Sequence, residues 1–273
     1  MQVRQEKKHH RFRISILFII VLLSFGGCFL YYMYNDNEVS FLDDKETETI
    51  TTIDETEAAI VYITDQTKNE SVISNPVPQS EKKGNDYITS CIFVGDSVIE
   101  GMTEGGLISP DNTITGDNIR IKLVNSATVN EKDKPVSVSK KLAIMGGNNI
   151  YIVLGTDSMD SMTNEAMLEE YKSFLNSVLS DNNGKNIYIV SVPPVTEERE
   201  NDRVSPVLNS SVKLFNTALL DIADEMGVYY IDVNSALSDS QGKLKPEYSE
   251  SDGKTLSEDG NKVFLEYILS HTV

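Results

Sequence analysis

The sequence predicts an α/β fold: a three-layer α/β/α sandwich on a five-stranded parallel sheet of flavodoxin-like order, preceded by a transmembrane helix and a disordered linker. Three observations lead there. Short continuous apolar runs rich in β-branched residues, such as Ile150–Leu154 (IYIVL) and Ile187–Val192 (IYIVSV), read as strands buried on both faces. The segments between them carry apolar residues at helical spacing. Turn-forming residues stand directly after the runs, as in Gly95-Asp96-Ser97 and Pro193-Pro194, so each strand ends sharply before a helix.

The amino-terminal third differs from the rest. Arg4, Lys7, Lys8, Arg11 and Arg13 precede an uncharged run from Ile14 to Tyr34, which as a helix spans about 30 Å, the thickness of a bilayer core. Phe29, Tyr31, Tyr32 and Tyr34 close the run and acids follow it. The expectation is a cytoplasmic basic tail (1–13), a single-pass signal anchor (14–34) and an extracytoplasmic remainder at the cell membrane. A cleaved signal peptide would have a shorter apolar region ending at small residues, whereas here aromatic residues prolong it past Gly26 and Gly27. A lipid-modified Cys28 is a third option. Residues 35–85 carry twelve acids against four bases, too much charge and too little apolar periodicity to collapse, so they read as an acidic disordered linker.

Residues 86–273 carry the globular pattern. Ser90–Val94 (SCIFV) is the first expected strand and Ile119–Val124 (IRIKLV) the second. Val138–Met145 is a short helix. Ile150–Leu154 is the third strand. Asn164–Ser180 places Met167, Leu168, Tyr171, Phe174, Leu175, Val178 and Leu179 on one face of a helix. Ile187–Val192 is the fourth strand. Val207–Met226 is a long amphipathic helix stopped by Gly227, Val228–Val233 the fifth strand, and Ser257–Ser270 the last helix, with Ser257 as its cap.

Composition narrows the function. Forty-two acids against 24 bases give a formal charge of −18, which excludes binding of nucleic acid through a general basic surface. Two cysteines and three histidines supply neither a disulfide framework nor a zinc site, and no cofactor is expected. In parallel sheets ligands bind at the carboxyl ends of the strands. There the sequence places Gly95-Asp96-Ser97, Gly155-Thr156-Asp157-Ser158 and, before the last helix, Asp252-Gly253-Lys254-Thr255. Asp96, Asp157 and Asp252 together would suit Ca²⁺ or Mg²⁺ if they converged. The reading adopted keeps them as separate carboxylates, with no metal.

The ordered set FVGDSVIEGM (93–102), IVLGTDSM (152–159) and DGKTLSEDGNKVF (252–264) resembles the blocks of the SGNH/GDSL hydrolases of the bacterial membrane-anchored type, and the likeness runs from residue 90 to 273. IYIVSVPPV (187–195) and the helix containing Lys213-Leu-Phe-Asn216 are similar to segments of the same proteins. The resemblance implies a nucleophile at Ser97, a triad Asp at Asp252, and a site built from Gly95, Asp96, Gly155, position 157 and a second block near Ser126 or Ala127. It also implies esters or carbohydrate O-acyl groups as substrates.

The chain departs from that pattern where chemistry is done. Thr255 stands at the place of the triad histidine, and Asp157 at the place of an asparagine that donates to the oxyanion. No glycine occurs in Val124–Val129. A serine hydroxyl needs a base to take its proton, and threonine is none. His9 and His10 lie beyond the expected anchor, and His271 ends the last helix. Lys254 is the remaining substitute base, expected to be exposed and charged. The expectation is a catalytically impaired, membrane-anchored extracytoplasmic domain that binds or scaffolds, with a cell-envelope glycan or acyl ester as ligand. The alternatives are an active serine esterase with a substitute base, and a purely structural envelope protein.

Overall fold

The computed structural model describes residues 73–273. The basic tail, the apolar run 14–34 and most of the linker lie outside these residues. Among the described residues no helix is long and apolar enough to cross a membrane.

Five strands form one parallel sheet: β1 (Cys91–Gly95), β2 (Thr113–Ile114), β5 (Asn149–Val153), β6 (Asn186–Val190) and β7 (Tyr229–Ile231), in the spatial order β2-β1-β5-β6-β7. Counting only these strands, the order is 2-1-3-4-5, the flavodoxin-like order expected. The central strands β1, β5 and β6 are buried along almost their whole length, as their unbroken apolar runs require.

The helices cover both faces. α1 (Asn85–Thr89), α2 (Ser97–Glu104), α8 (Val233–Leu237) and α9 (Glu258–Leu269) belong to one side. There Phe93, Ile99, Met102, Tyr151, Tyr188, Phe264 and Ile268 form one core. α3 (Ile121–Val124), α4 (Val138–Ile144), α5 (Asn164–Asp181) and α7 (Asn209–Met226) cover the other, around Ile92, Ile152, Tyr171, Phe174, Ile189 and Phe215. The caps follow sequence: Thr163 accepts from the Ala166 amide, Ser257 from the Gly260 amide, and Gly227 ends α7 in the left-handed conformation. The short α6 (Glu197–Glu200) is capped by Thr196.

One row of residues crosses four strands in register: Phe93 faces Tyr151, Tyr151 faces Tyr188, and Tyr188 faces Tyr229. Their rings stack at centroid separations of 5.2, 4.5 and 4.9 Å. Such aromatic pairs stabilise beyond their buried area. The Tyr87 and Tyr151 hydroxyls, 2.7 Å apart, join α1 to the row.

Two expectations are corrected, and one element is added. The second strand is Thr113–Ile114, while Ile121–Val124 is a short helix. Ile121 and Val124 are buried three positions apart and Leu123 points out, a helical spacing that six residues of mixed alternation conceal. An unexpected antiparallel hairpin, β3 (Thr128–Glu131) and β4 (Lys134–Ser137), precedes α4. Lys132 and Asp133 turn it with φ of 48° and 63°, the left-handed pair that a two-residue hairpin loop requires, and Glu131 pairs with Lys141 of α4.

The second correction concerns the linker boundary at 85. Asn75 donates to the Asp224 carboxylate and the Val228 carbonyl and accepts from the Tyr230 amide. Val77 is buried and its amide donates to the Tyr230 carbonyl. The Ser80 and Lys83 amides donate to the end of α9. Residues 75–83 are therefore a strap on the domain. It satisfies outward-facing groups of the edge strand β7, which would otherwise remain open to pairing with another chain.

Candidate active site

β1 delivers the GDS block to the carboxyl edge of the sheet. Gly95 is packed so tightly that a Cβ there would meet the Val153 carbonyl and Ile99. Asp96 adopts extended backbone at the start of α2 but makes no side-chain cap. Its carboxylate turns inward instead, where Oδ2 accepts from the Gly155 amide at 2.9 Å and the Asp157 amide at 3.3 Å. Asp96 is 2% exposed, and its Oδ1 has no partner among the described residues. Burial, and then the charge of Asp157, push its pKa up to about 7.

Gly155 has φ of 143°, and a Cβ there would collide with Val192 and Phe215. This glycine lets the chain after β5 bend so that Asp157 faces Ser97. The amide of Gly155 is committed to Asp96 rather than presented to a ligand.

Ser97 is the first residue of α2. Its hydroxyl donates to Asp157 Oδ1 at 2.8 Å and its amide donates to Asp157 Oδ2 at 3.2 Å. The carboxylate thus takes both donors of one residue. Lys254 Nζ lies 3.5 Å from the same Oδ1 and 3.6 Å from Asp160 Oδ2, and Arg199 Nη2 reaches Asp160 Oδ2 at 3.1 Å. The Lys254 side chain is only 16% exposed; the exposed lysine expected from sequence is instead sheltered between two carboxylates.

The loop carrying Lys254 is built by Asp252. Its Oδ1 accepts from the amides of Lys254 and Thr255, at 3.0 and 2.8 Å, and its Oδ2 from the Thr255 hydroxyl at 2.7 Å. Burial opposes the Asp252 charge, but these donors outweigh it and hold the carboxyl below its ordinary range. Gly253 has φ of 72° and accepts from the Thr196 amide at 2.9 Å. A side chain there would strike Thr196 and Arg199, so glycine allows the loop to lie against the start of α6.

Ser97 and Asp157 are therefore brought together, and the third block reaches them through Lys254. Thr255 is tied to Asp252 and cannot serve as a base. Ser126 is exposed at the end of α3, its hydroxyl donating to the Leu123 carbonyl. His271 stacks on Tyr267 at the carboxyl end of α9, a twelve-residue helix about 18 Å long that begins beside Ser257. Asp96, Asp157 and Asp252 point to different partners, and among the described residues no three acidic, cysteine or histidine groups are spaced to hold a metal. Asp160 and Arg199 were not anticipated; their only trace in the sequence is charge, in a loop and in the run Glu197–Arg203.

A depression of about 480 Å³ adjoins the loop, lined in part by Thr196, Arg199, Asp252 and Gly253. A larger groove of about 580 Å³ runs along α7 and β7, touching Pro76, Lys213, Tyr230 and Asp232. It includes none of Ser97, Asp157 or Lys254, so the site is assigned on chemistry rather than on volume.

No protein-family model matches the chain and no curated protein matches it. Solved structures do. A GDSL-like lipase from Bacteroides thetaiotaomicron is 13% identical, with 69% of this chain and 89% of that one covered at a TM-score of 0.51. A protein from Bacteroides fragilis, provisionally assigned as an acylhydrolase, is 14% identical over 70% of this chain and 88% of its own, also at 0.51. One from Streptococcus pneumoniae, provisionally assigned as a platelet activating factor, is 22% identical over 66% and 81%, again at 0.51. At these identities the likeness is one of fold.

Proposed function

We propose that this chain, which has the fold of the SGNH/GDSL hydrolases, is a catalytically impaired member of that architecture, serving as a binding or scaffolding module held outside the cell membrane by residues 14–34. The observation that carries the impairment is the Ser97 hydroxyl, which donates to the Asp157 carboxylate at 2.8 Å, with no imidazole beside it among the described residues. Activating a serine requires a base that accepts its proton and later returns it to the leaving group. A carboxylate is a weak base for that purpose, and Thr255 is none. At the place of the oxyanion donor Asp157 brings negative charge, where loss of a single donor elsewhere costs about 3–4 kcal/mol. The proposed ligand is a cell-envelope glycan or an acylated polymer, a choice supported by the expected topology and by the fold.

A second reading has one observation in its favour. Ser97 and Lys254 contact the same carboxylate oxygen, which puts a candidate substitute base near the nucleophile and would make the chain an active serine esterase or carbohydrate O-acyl hydrolase. One experiment separates the two. The full-length chain is assayed with small acetyl esters and a fluorophosphonate, beside Ser97→Ala. Impairment predicts negligible turnover that Ser97→Ala leaves unchanged, and no labelling. Strong turnover abolished by Ser97→Ala would establish the esterase and overturn the proposal.

A further inference from the structure

We infer that the Asp157 side chain is a built-in occupant of an anion seat: its carboxylate fills a position formed by the Ser97 amide, the Ser97 hydroxyl and the Lys254 ammonium, which in its absence takes a small carboxylate ligand. This deepens the reading of Ser97 as a non-catalytic site and rests on it.

Three donors converge on one carboxylate, at 3.2 Å (amide to Oδ2), 2.8 Å (hydroxyl to Oδ1) and 3.5 Å (ammonium to Oδ1). Amide, hydroxyl and ammonium are the groups that recognise anions. The backbone that carries them is fixed by contacts other than those to Asp157. The Ser97 amide belongs to the first turn of α2, where amides have no acceptor within the helix and the dipole favours negative charge. Lys254 is delivered by a loop fixed through Asp252 and through the Thr196–Gly253 hydrogen bond. Asp160, paired with Arg199, lies 3.6 Å from Lys254 and keeps the ammonium at the site.

The consequence is selectivity by charge. A ligand that carries a carboxylate, or develops an oxyanion at Ser97, meets a carboxylate already seated on the donors. Neutral hydroxyl-bearing ligands meet no such repulsion. The wild-type site therefore excludes the anions its donors are suited to hold, and Asp157 is the reason.

Acetate is the probe. The full-length chain and its Asp157→Ala variant are titrated with acetate, following calorimetric heat and the chemical shift of the Ser97 amide. Asp157→Ser is carried as a second small variant in case the first folds poorly, and far-UV circular dichroism verifies each fold. The folded variant should bind acetate at least about tenfold more tightly than the wild type, and adding Lys254→Met should weaken that binding about tenfold or more, since charge-assisted bonds are the strong ones. Wild-type binding as tight as the variant's, or no binding by a folded Ala or Ser variant, overturns the inference. Ester turnover by the wild type would instead defeat the non-catalytic reading while leaving the acetate comparison intact, so the two failures are distinguishable.

Discussion

Burying Asp96 makes the stability of this domain depend on pH in an unusual direction. An ordinary carboxyl in the unfolded chain titrates near 3.8, and in the folded protein that of Asp96 is pushed up to about 7 by burial and by the neighbouring Asp157 charge. Between these values the folded chain holds a proton that the unfolded chain has released. The unfolded state then binds fewer protons, so stability falls as pH rises from about 4 to about 7 and levels off above. Roughly three pKa units correspond to about 4 kcal/mol, an upper figure for this one group. Asp96→Asn removes the titration while its amide oxygen can still accept from the Gly155 and Asp157 amides. Urea unfolding of both proteins from pH 4 to pH 8 reads the effect of Asp96 together with its coupled neighbour Asp157, because the other acids cancel in the difference. The variant should match the wild type within about 1 kcal/mol near pH 4 and exceed it by about 3–4 kcal/mol at pH 8. Asp157→Asn should move the Asp96 transition to lower pH by removing the adjacent charge. A difference between Asp96→Asn and wild type that stays flat across this range would refute the reasoning.

Other predictions concern the site, the strap and the topology. Thr255→His combined with Asp157→Asn supplies a base and an oxyanion donor together; turnover of a small acetyl ester should rise and a fluorophosphonate should label Ser97, and a folded double variant that does neither contradicts the assignment of these positions. Asn75→Ala removes three hydrogen bonds to α7 and the edge of β7 and should cost about 1–3 kcal/mol by thermal unfolding; no loss would mean the strap contributes nothing. A single cysteine introduced within residues 35–72, in a background lacking Cys28 and Cys91, should react with an impermeant maleimide in intact cells. Reaction only after lysis would place the domain inside.

Much of the scaffold was legible because burial writes itself into composition. β1, β5 and β6 are covered on both faces, so nearly every residue is apolar, and α5 and α7 carry their stripe at regular spacing. β2 was misplaced because a two-residue edge strand has no period to read, and the apolar residues of Ile119–Val124 answer to two templates at once. The hairpin turns on Lys132-Asp133, residues without the usual turn signature, although their neighbours Val129 and Val136 pair across it. At the site, Ser97, Asp157, Asp252 and Thr255 were visible as departures from a pattern. The Lys254–Asp160–Arg199 network was not, because its members are 39 to 94 positions apart, and only the folded chain brings them together.

The aromatic row works as a vernier for the carboxyl edge of the sheet. Phe93 and Tyr151 lie side by side, and counting forward from that common level brings Ser97 and Asp157 to the same height by different routes, one straight into α2 and one through the bend at Gly155. If β5 slipped by one residue against β1, its side chains would exchange faces. The tyrosine would leave the stack, and the chain after it would shift by about 3.3 Å along the strand direction. A hydrogen bond of 2.8 Å between Ser97 and Asp157 does not survive such a displacement. The alignment of two polar side chains at one end of the molecule thus depends on the strand register that four stacked rings mark in its interior, and a change to those rings that shifted the register would be read out at Ser97.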